Sequence, residues 1–241
     1  MMAMAFQRVA VLLASGASDP KSYIAAGDRC TIGARALSGL WPVTYPTIKG
    51  SKTRYVRSLK GFLCNQNSYS AVKYPAAGYD SATVKTSGCG ICALINALGA
   101  LRGTAPDVRT MASFAMAWGA RVPGGTNMKT LLTHAATRWS FRYTTTSSRE
   151  ELLLHLQKGG VAICNVAGRG MFSSGGHYMA VLGELDGKLC IADSGLYAGK
   201  YGTAKRKAAV TVSGDLIFAS VSDLDTDCVG RTPRYYLLSK V

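Results

Sequence analysis

Over residues 1 to about 62, apolar and polar positions alternate in short runs, RVAVLLASG, DRCTIGARA, LWPVTYP and TRYVRSL, separated by Gly, Asp, Ser and Pro. A period of two with no helical period predicts a small all-β unit. From about residue 63 the texture changes. Apolar positions at helical spacing predict helices over 89–101, 106–118, 127–139 and 148–158. Thr104 is the expected cap of the second, with Pro106 in its first turn, and a capping box, Ser147 with Glu150 or Ser148 with Glu151, opens the fourth. Strands are predicted over 141–145, 161–166, 177–183, 189–193, 208–212 and 235–238. Helices first and an antiparallel sheet afterwards make an α+β fold, not the strict alternation of a doubly wound sheet. The expected division is 1–62 and 63–241.

Charge and cysteine usage narrow the function classes. The 241 residues carry 28 Lys+Arg against 13 Asp+Glu, a formal +15, which favours a polyanionic partner: nucleic acid, anionic membrane or anionic cell wall. The basic residues (Lys49, Lys52, Arg54, Arg57 and Lys60, then Lys200, Lys205, Arg206 and Lys207) form neither a recognition helix nor an aromatic RNA-binding strand, so specific nucleic-acid binding is not expected. Ordinary solubility charge is the plain alternative. Seven irregularly spaced cysteines fit free thiols in a reducing compartment. Cys89 and Cys92 form a C-x-x-C, yet a zinc site would want a second pair, so no metal is expected. The apolar run from Val9 to Ala14 is short for a signal-peptide core and far too short for a membrane span. An extracellular target would then be reached by another route, such as a phage holin or release on lysis.

One stretch combines these elements with chemistry. In SGCGICALINALGALRG, Cys89 stands where a helix begins, and unpaired N–H groups there favour a thiolate. Gly88 and Gly90 would leave room for a substrate backbone, while Ile91, Leu94, Ile95, Leu98 and Leu101 would anchor the helix. The plain alternative is a small core residue, which describes Cys92 better. Of the three histidines, His134 and His155 lie inside amphipathic helices and read as structural. His177, after Ser173-Ser174-Gly175-Gly176, opens a strand with one uncrowded side. An imidazole base needs its tautomer fixed, and Asp193 is the candidate, sixteen positions on across the ELDGK turn. A three-residue loop with Glu184 opposite Lys188 would put Asp193 opposite Met179 and His177 diagonal to it on the same face; a two-residue Asp-Gly turn would put them on opposite faces. Asp193 could instead only close an Asx turn before Ser194-Gly195.

Taken together, SGCG at a helix start, then GGHYMAVLG, then DGKLCIADSG resemble the papain-like cysteine peptidases. Within them the likeness is to the bacteriocin-processing, double-glycine-leader peptidases and their relatives in phage and bacterial cell-wall proteins. SREELLLHLQKGGVAICNV is similar to that group's helix and strand before the histidine. The resemblance spans about residues 64 to 195 and implies Cys89 as nucleophile, His177 as general base and acid, Asp193 as its orienter, and no cofactor. The family's glutamine shortly before the cysteine is missing, since 79–88 holds no Gln or Asn; Gln66 is the candidate oxyanion donor, with Asn65 and Asn67 as alternatives. The first 60 residues resemble a bacterial SH3-like domain through Gly27-Asp28, Gly39-Leu40-Trp41, Val43-Thr44-Tyr45-Pro46 and Tyr55-Val56. The combination implies an endolysin-type hydrolase of bacterial peptidoglycan, made in the cytoplasm and acting at the wall, and leaves the scissile bond, host and oligomeric state open. A leader peptidase cleaving after Gly-Gly, an inactive wall-binding or virion protein, and a nucleic-acid binder are the alternatives.

Overall fold

The alternating N-terminal runs become six antiparallel strands: β1 (Met2–Met4), β2 (Val9–Leu12), β3 (Ser18–Ile24), β4 (Arg29–Ile32), β5 (Trp41–Thr47) and β6 (Gly50–Val56), in the order β1-β4-β5-β6-β2-β3. In β5 the period of two is plain, since Trp41, Val43 and Tyr45 are buried while Pro42 and Thr44 between them are less so. The computed structural model describes the whole chain except Met1, Phe6, Gln7, Ala34, Leu37, Lys60 and the side chain of Met4. Lys60, one of the basic residues named above, thus lies outside the described residues.

After a 3-10 turn (Gln66–Ser68) come α1 (Val84–Ser87), α2 (Cys89–Arg102), α3 (Val108–Ala117), the hairpin β7 (Arg121–Val122) and β8 (Gly125–Thr126), α4 (Met128–Arg138), β9 (Phe141–Thr146) and α5 (Arg149–Gln157). Then follow β10 (Val161–Val166), β11 (His177–Leu185), β12 (Lys188–Ala192), α6 (Ala204–Ala209), β13 (Val210–Ser213), β14 (Leu216–Ala219), α7 (Val221–Cys228) and β15 (Tyr235–Lys240). Seven strands form an antiparallel sheet in the order β13-β14-β12-β11-β10-β15-β9. The fold is α+β with antiparallel sheets, but its elements interleave: β9 precedes α5, and α6 and α7 come late.

Three local expectations change. The cap of α3 is Asp107, not Thr104, because its carboxylate accepts from Arg109 N and Thr110 N and so starts the helix beyond Pro106. Ala208 and Ala209 close α6, which Thr203 caps, so the strand begins at Val210. β14 and α7 were unforeseen, although Leu216 to Ala219 is a short apolar run after a Gly214-Asp215 turn and Ser220 caps α7 through Asp223 N. Ser148 caps α5 through Glu151 N.

The helix α2 is more than an amphipathic anchor. Besides the expected apolar face, Gly90, Cys92, Ala93, Asn96, Ala97 and Gly99 are buried, so it is enclosed almost all round. It packs on β10, β11 and β15 on one side and on β1 and α3 on others. One buried cluster runs from Val43 and Trp41 of β5 through α2 to Ile163 and Leu238. A second covers the other sheet face with Leu152 and Leu156 of α5 and Leu224 and Cys228 of α7. Asp215 ties the segment after β6 to the β13–β14 turn by accepting from Ser58 Oγ at 2.7 Å and Leu59 N at 2.6 Å.

Candidate active site

Cys89 is the first residue of α2, and Gly88 serves both as C-cap of α1 and N-cap of α2. The flanking glycines are required by the protein's own packing rather than by room for a substrate. A Cβ on Gly88 would stand 2.5 Å from Val84 Cγ1 and 2.6 Å from its carbonyl oxygen, and one on Gly90 would stand 2.7 Å from Thr126 Cβ. Gly88 lets the chain turn from α1 straight into α2, and Gly90 lets that helix end press on β8. Cys89 itself is half-buried.

The hairpin that carries His177 and Asp193 has a two-residue Asp186-Gly187 turn, both with positive φ (51° and 74°), so Leu185 faces Lys188. Of the two loops the sequence leaves open, the two-residue one is present, and its register alone would separate the two side chains. A β-bulge corrects it. Pairing shifts between Val181 and Gly183, leaving Leu182 as the extra residue, and beyond it Val181 faces Ile191 and Ala180 faces Ala192. Continued one residue, that register sets Asp193 opposite Met179, on the face of His177. The imidazole Nε2 and Asp193 Oδ1 are 2.8 Å apart.

With Nε2 engaged by the carboxylate, Nδ1 is the nitrogen left for Cys89, and the neutral tautomer protonated at Nε2 is the one the carboxylate selects. Burial pushes the Cys89 thiol up, but the hydrogen bond to His177, that ring's positive charge, and the backbone N–H groups of Tyr178 and Gly90 outweigh it and hold the thiol below its ordinary value. Burial alone would depress His177; hydrogen bonds to Asp193 and Cys89 and their negative charges instead raise it to about 9. Both shifts favour the charged forms, thiolate on Cys89 and imidazolium on His177. The other shifted thiols move the opposite way: burial raises Cys30 to about 12, Cys190 to about 11 and Cys92 upward, and the contact with Cys164, followed by burial, raises Cys228.

Asp193 is enclosed by donors. Oδ1 also accepts from Gly195 N at 2.9 Å, the Asx turn of the plain reading, so both readings of this residue describe the same carboxylate. Oδ2 accepts from Lys200 Nζ at 2.6 Å and Tyr201 Oη at 2.8 Å. Burial would raise this carboxyl, yet His177 and Lys200 hold it well below the usual carboxylate range. The space beside Gly195 is tight, since a Cβ there would lie 3.1 Å from His177 Cε1. His177 is also less open than its small neighbours suggested, with 8% exposure and the Arg231 guanidinium packed on Gly176.

Gln66 bridges the two halves of the site. Its backbone N donates to Ser194 O at 2.7 Å and its amide Nε2 to Lys85 O, four residues before Cys89, at 2.8 Å. That carbonyl can only accept, which fixes the amide's orientation and leaves its second N–H. Asn65 and Asn67 instead direct their amides to Leu196 O at 2.7 and 3.2 Å. His134 stacks on Trp118 with ring centroids 4.0 Å apart, and His155 Nε2 lies 2.9 Å from Leu238 O. No group of three or more His, Cys, Asp or Glu placed to hold a metal occurs among the described residues. Sequence reasoning missed Lys200 and Tyr201, whose only signal is an irregular AGKYG segment. A cavity of about 640 Å³ lies beside them, lined by Asn65, Asn96, Asp193, Leu196, Lys200 and Tyr201 among others, and it meets the three-residue chain only at Asp193.

Compared with known proteins, the chain matches no family model, and no curated protein matches it.

Proposed function

We propose that the chain is a papain-like cysteine hydrolase with an N-terminal SH3-like module, acting on a peptide or amide bond of bacterial peptidoglycan. The observation that carries the reading is the continuous chain from Cys89 at the start of α2, through His177, to Asp193. A thiolate next to an imidazolium is the resting state that such chemistry needs. Cys89 Sγ attacks the scissile carbonyl, and His177 passes its Nδ1 proton to the leaving amine as the C–N bond breaks. Water then attacks the thioester, gives a proton back to Nδ1, and the C–S bond breaks to restore the ion pair. The oxyanion is met by the Cys89 N–H, one of the donors a helix start leaves unpaired, and by the second N–H of Gln66.

The wall as target rests on the excess of positive charge and on the resemblance of both parts of the chain to lysin modules. Among the described residues no helix is long and apolar enough to cross a membrane. The deciding experiment follows turbidity of purified walls of several chemotypes with the wild type and Cys89→Ala, with mass spectrometry of soluble products. Clearing that needs Cys89, with new peptide or amide termini, supports the reading. Intact walls together with rapid neutral-pH alkylation of Cys89 would move the substrate to another peptide, such as a Gly-Gly leader. Intact walls that bind the protein, with an inert Cys89, would make it a wall-binding protein.

A further inference from the structure

Lys200 stands where a lysine is costly. Its side chain is 6% exposed, its ammonium lies 2.6 Å from a carboxylate oxygen of the fully buried Asp193, and it comes from an irregular segment rather than a helix or strand. That segment is braced to deliver it: Lys200 N donates to Tyr197 O at 3.1 Å, and Arg206 donates from Nη1 to Lys200 O at 2.5 Å and from Nε to Gly170 O at 3.0 Å. Bringing an ammonium out of water this far costs several kcal/mol before any pairing. A hydrophobic residue of similar length would fill the same space without that cost. Asp193 already has His177, Gly195 N and the Tyr201 hydroxyl, so hydrogen bonding alone does not call for a further cation.

The charges around the site alternate in a row: Cys89 thiolate, His177 imidazolium, Asp193 carboxylate, Lys200 ammonium. Facing His177 and Asp193 are Cys89 from α2, Tyr178 of β11, Arg231 packed on Gly176 from the segment before β15, and Lys200 and Tyr201 from the segment after β12. Of these, Lys200 places a full positive charge on the Asp193 oxygen that His177 does not use.

Resting on the hydrolase reading above, we propose that Lys200 is a positioning residue that neutralises Asp193, so that Asp193 fixes the imidazole's orientation without trapping its proton during hydrolysis of the acyl-enzyme. In that intermediate Cys89 is a thioester and its negative charge is gone. Water can be activated only by a neutral Nδ1: the water proton moves to Nδ1, the C–O bond forms, and the C–S bond then breaks to release the acid and the thiolate. Beside a carboxylate with no second cation, His177 would keep a solvent proton to higher pH, and less of it would be free to act as base near neutrality. Acylation starts from the thiolate–imidazolium pair and suffers less.

p-Nitrophenyl acetate separates the two steps with the full-length protein, acylation as a nitrophenolate burst and deacylation as the steady rate. Lys200→Gln removes the charge and keeps a donor for Asp193, Lys200→Arg keeps the charge, and Tyr201→Phe removes only the hydroxyl. In Lys200→Gln the burst is expected to persist while the steady rate near pH 7 falls about tenfold and its rising pH limb moves up by about one unit, the scale of removing one nearby like charge. Lys200→Arg restores the limb, and Tyr201→Phe, which removes a hydrogen bond to Asp193 but no charge, moves it less than Lys200→Gln does. The more disruptive Lys200→Met should show the same displacement if it folds, and Lys200→Gln decides if it does not. A Lys200→Gln limb that coincides with the wild type, or an equal loss in burst and steady rate without displacement, overturns the role of Lys200 alone. A wild type with neither a Cys89-dependent burst nor neutral-pH alkylation of Cys89 overturns the hydrolase reading, and this inference with it.

Discussion

Two aspartates in this protein each hold two cations, with very different consequences. Asp19 on β3 meets Arg54 Nε at 2.7 Å and Lys52 Nζ at 3.7 Å from β6, and the side chains of these two cations are 25% and 37% exposed. Asp193 meets His177 at 2.8 Å and Lys200 at 2.6 Å, where its own side chain is fully buried and theirs are 9% and 6% exposed. The pairing is similar; the solvent is not. Water still reaches the two cations of the first cluster, and although the Arg54 hydrogen bond lowers the Asp19 carboxyl to about 2, neither an imidazole nor a thiol is among its members. Around Asp193 the charges are carried largely without water, so each sets the protonation of the next, up to Cys89. A count of ion pairs would not tell the regions apart, whereas burial and a titratable partner do.

The largest test of this contrast is Asp193→Asn. Losing the carboxylate strands the Lys200 ammonium and unsettles the imidazole, so stability should fall by about 3–5 kcal/mol in denaturant unfolding. Turnover should fall by about 10² to 10⁴, on the scale known for removal of a histidine-orienting carboxylate. Unchanged stability and turnover would place Asp193 in the same class as Asp19. Next comes thiol reactivity. Mass spectrometry of the native protein after brief iodoacetamide treatment should find Cys89 modified first at pH 6 to 7, with Cys190, the other half-buried thiol, modified only in strongly alkaline solution. Equal labelling of both would remove the special environment at the start of α2.

A smaller effect should appear in stability against pH. His177 is raised from an ordinary 6.5 to about 9, so its contribution is complete below about 6.5 and is lost as pH rises through about 9. Cys89 is depressed below an ordinary 9.0, so its contribution is complete above that value and is lost as pH falls through the folded-state value. In the wild type the two oppose each other below pH 9, so unfolding free energy should change less with pH there than the His177 shift alone would make it. Cys89→Ala removes the offset and also the part of the His177 shift that the thiol causes, so its stability should decline above pH 6.5 over a narrower range, by about 1 kcal/mol. A parallel pair of curves would mean that the thiol and imidazole are not coupled. The smallest expected change belongs to Asp19→Asn: Cys89 labelling and turnover should stay within about twofold of the wild type, since its two cations are partly exposed and solvent can replace the lost charge. A large loss would show that the two clusters communicate.

Much of the local structure was legible. A helix starting at Cys89, strands of the seven-stranded sheet whose ends fall within two residues of 141–145, 161–166, 177–183, 189–193 and 235–238, and the cap at Ser148 all follow from contiguous residues. The pairing of His177 with Asp193 was legible as a candidate, but the route to it was not. The Asp186-Gly187 turn obeys its local preference and sets the register that would part them, and the bulge at Leu182 restores it. Nothing periodic in GELDGK marks the bulge. The same holds for Gly88 and Gly90, whose missing side chains are recognisable in sequence while the atoms they make room for, Val84 and Thr126, are not.

What the sequence determined by itself, then, is a set of local states: which runs alternate, where α2 begins, which residue caps α5, and which thiol stands at a helix start. Only the tertiary structure decided which side chains meet. It put the extra residue of β11 at Leu182, set Gln66 between Ser194 and Lys85, and brought Lys200 out of an irregular loop onto Asp193. Turns, caps and periodicity are energies of neighbouring residues and can be read locally. Register, burial and the protonation of a buried charge depend on groups far apart in the chain competing for the same space, and they exist only once that space has closed.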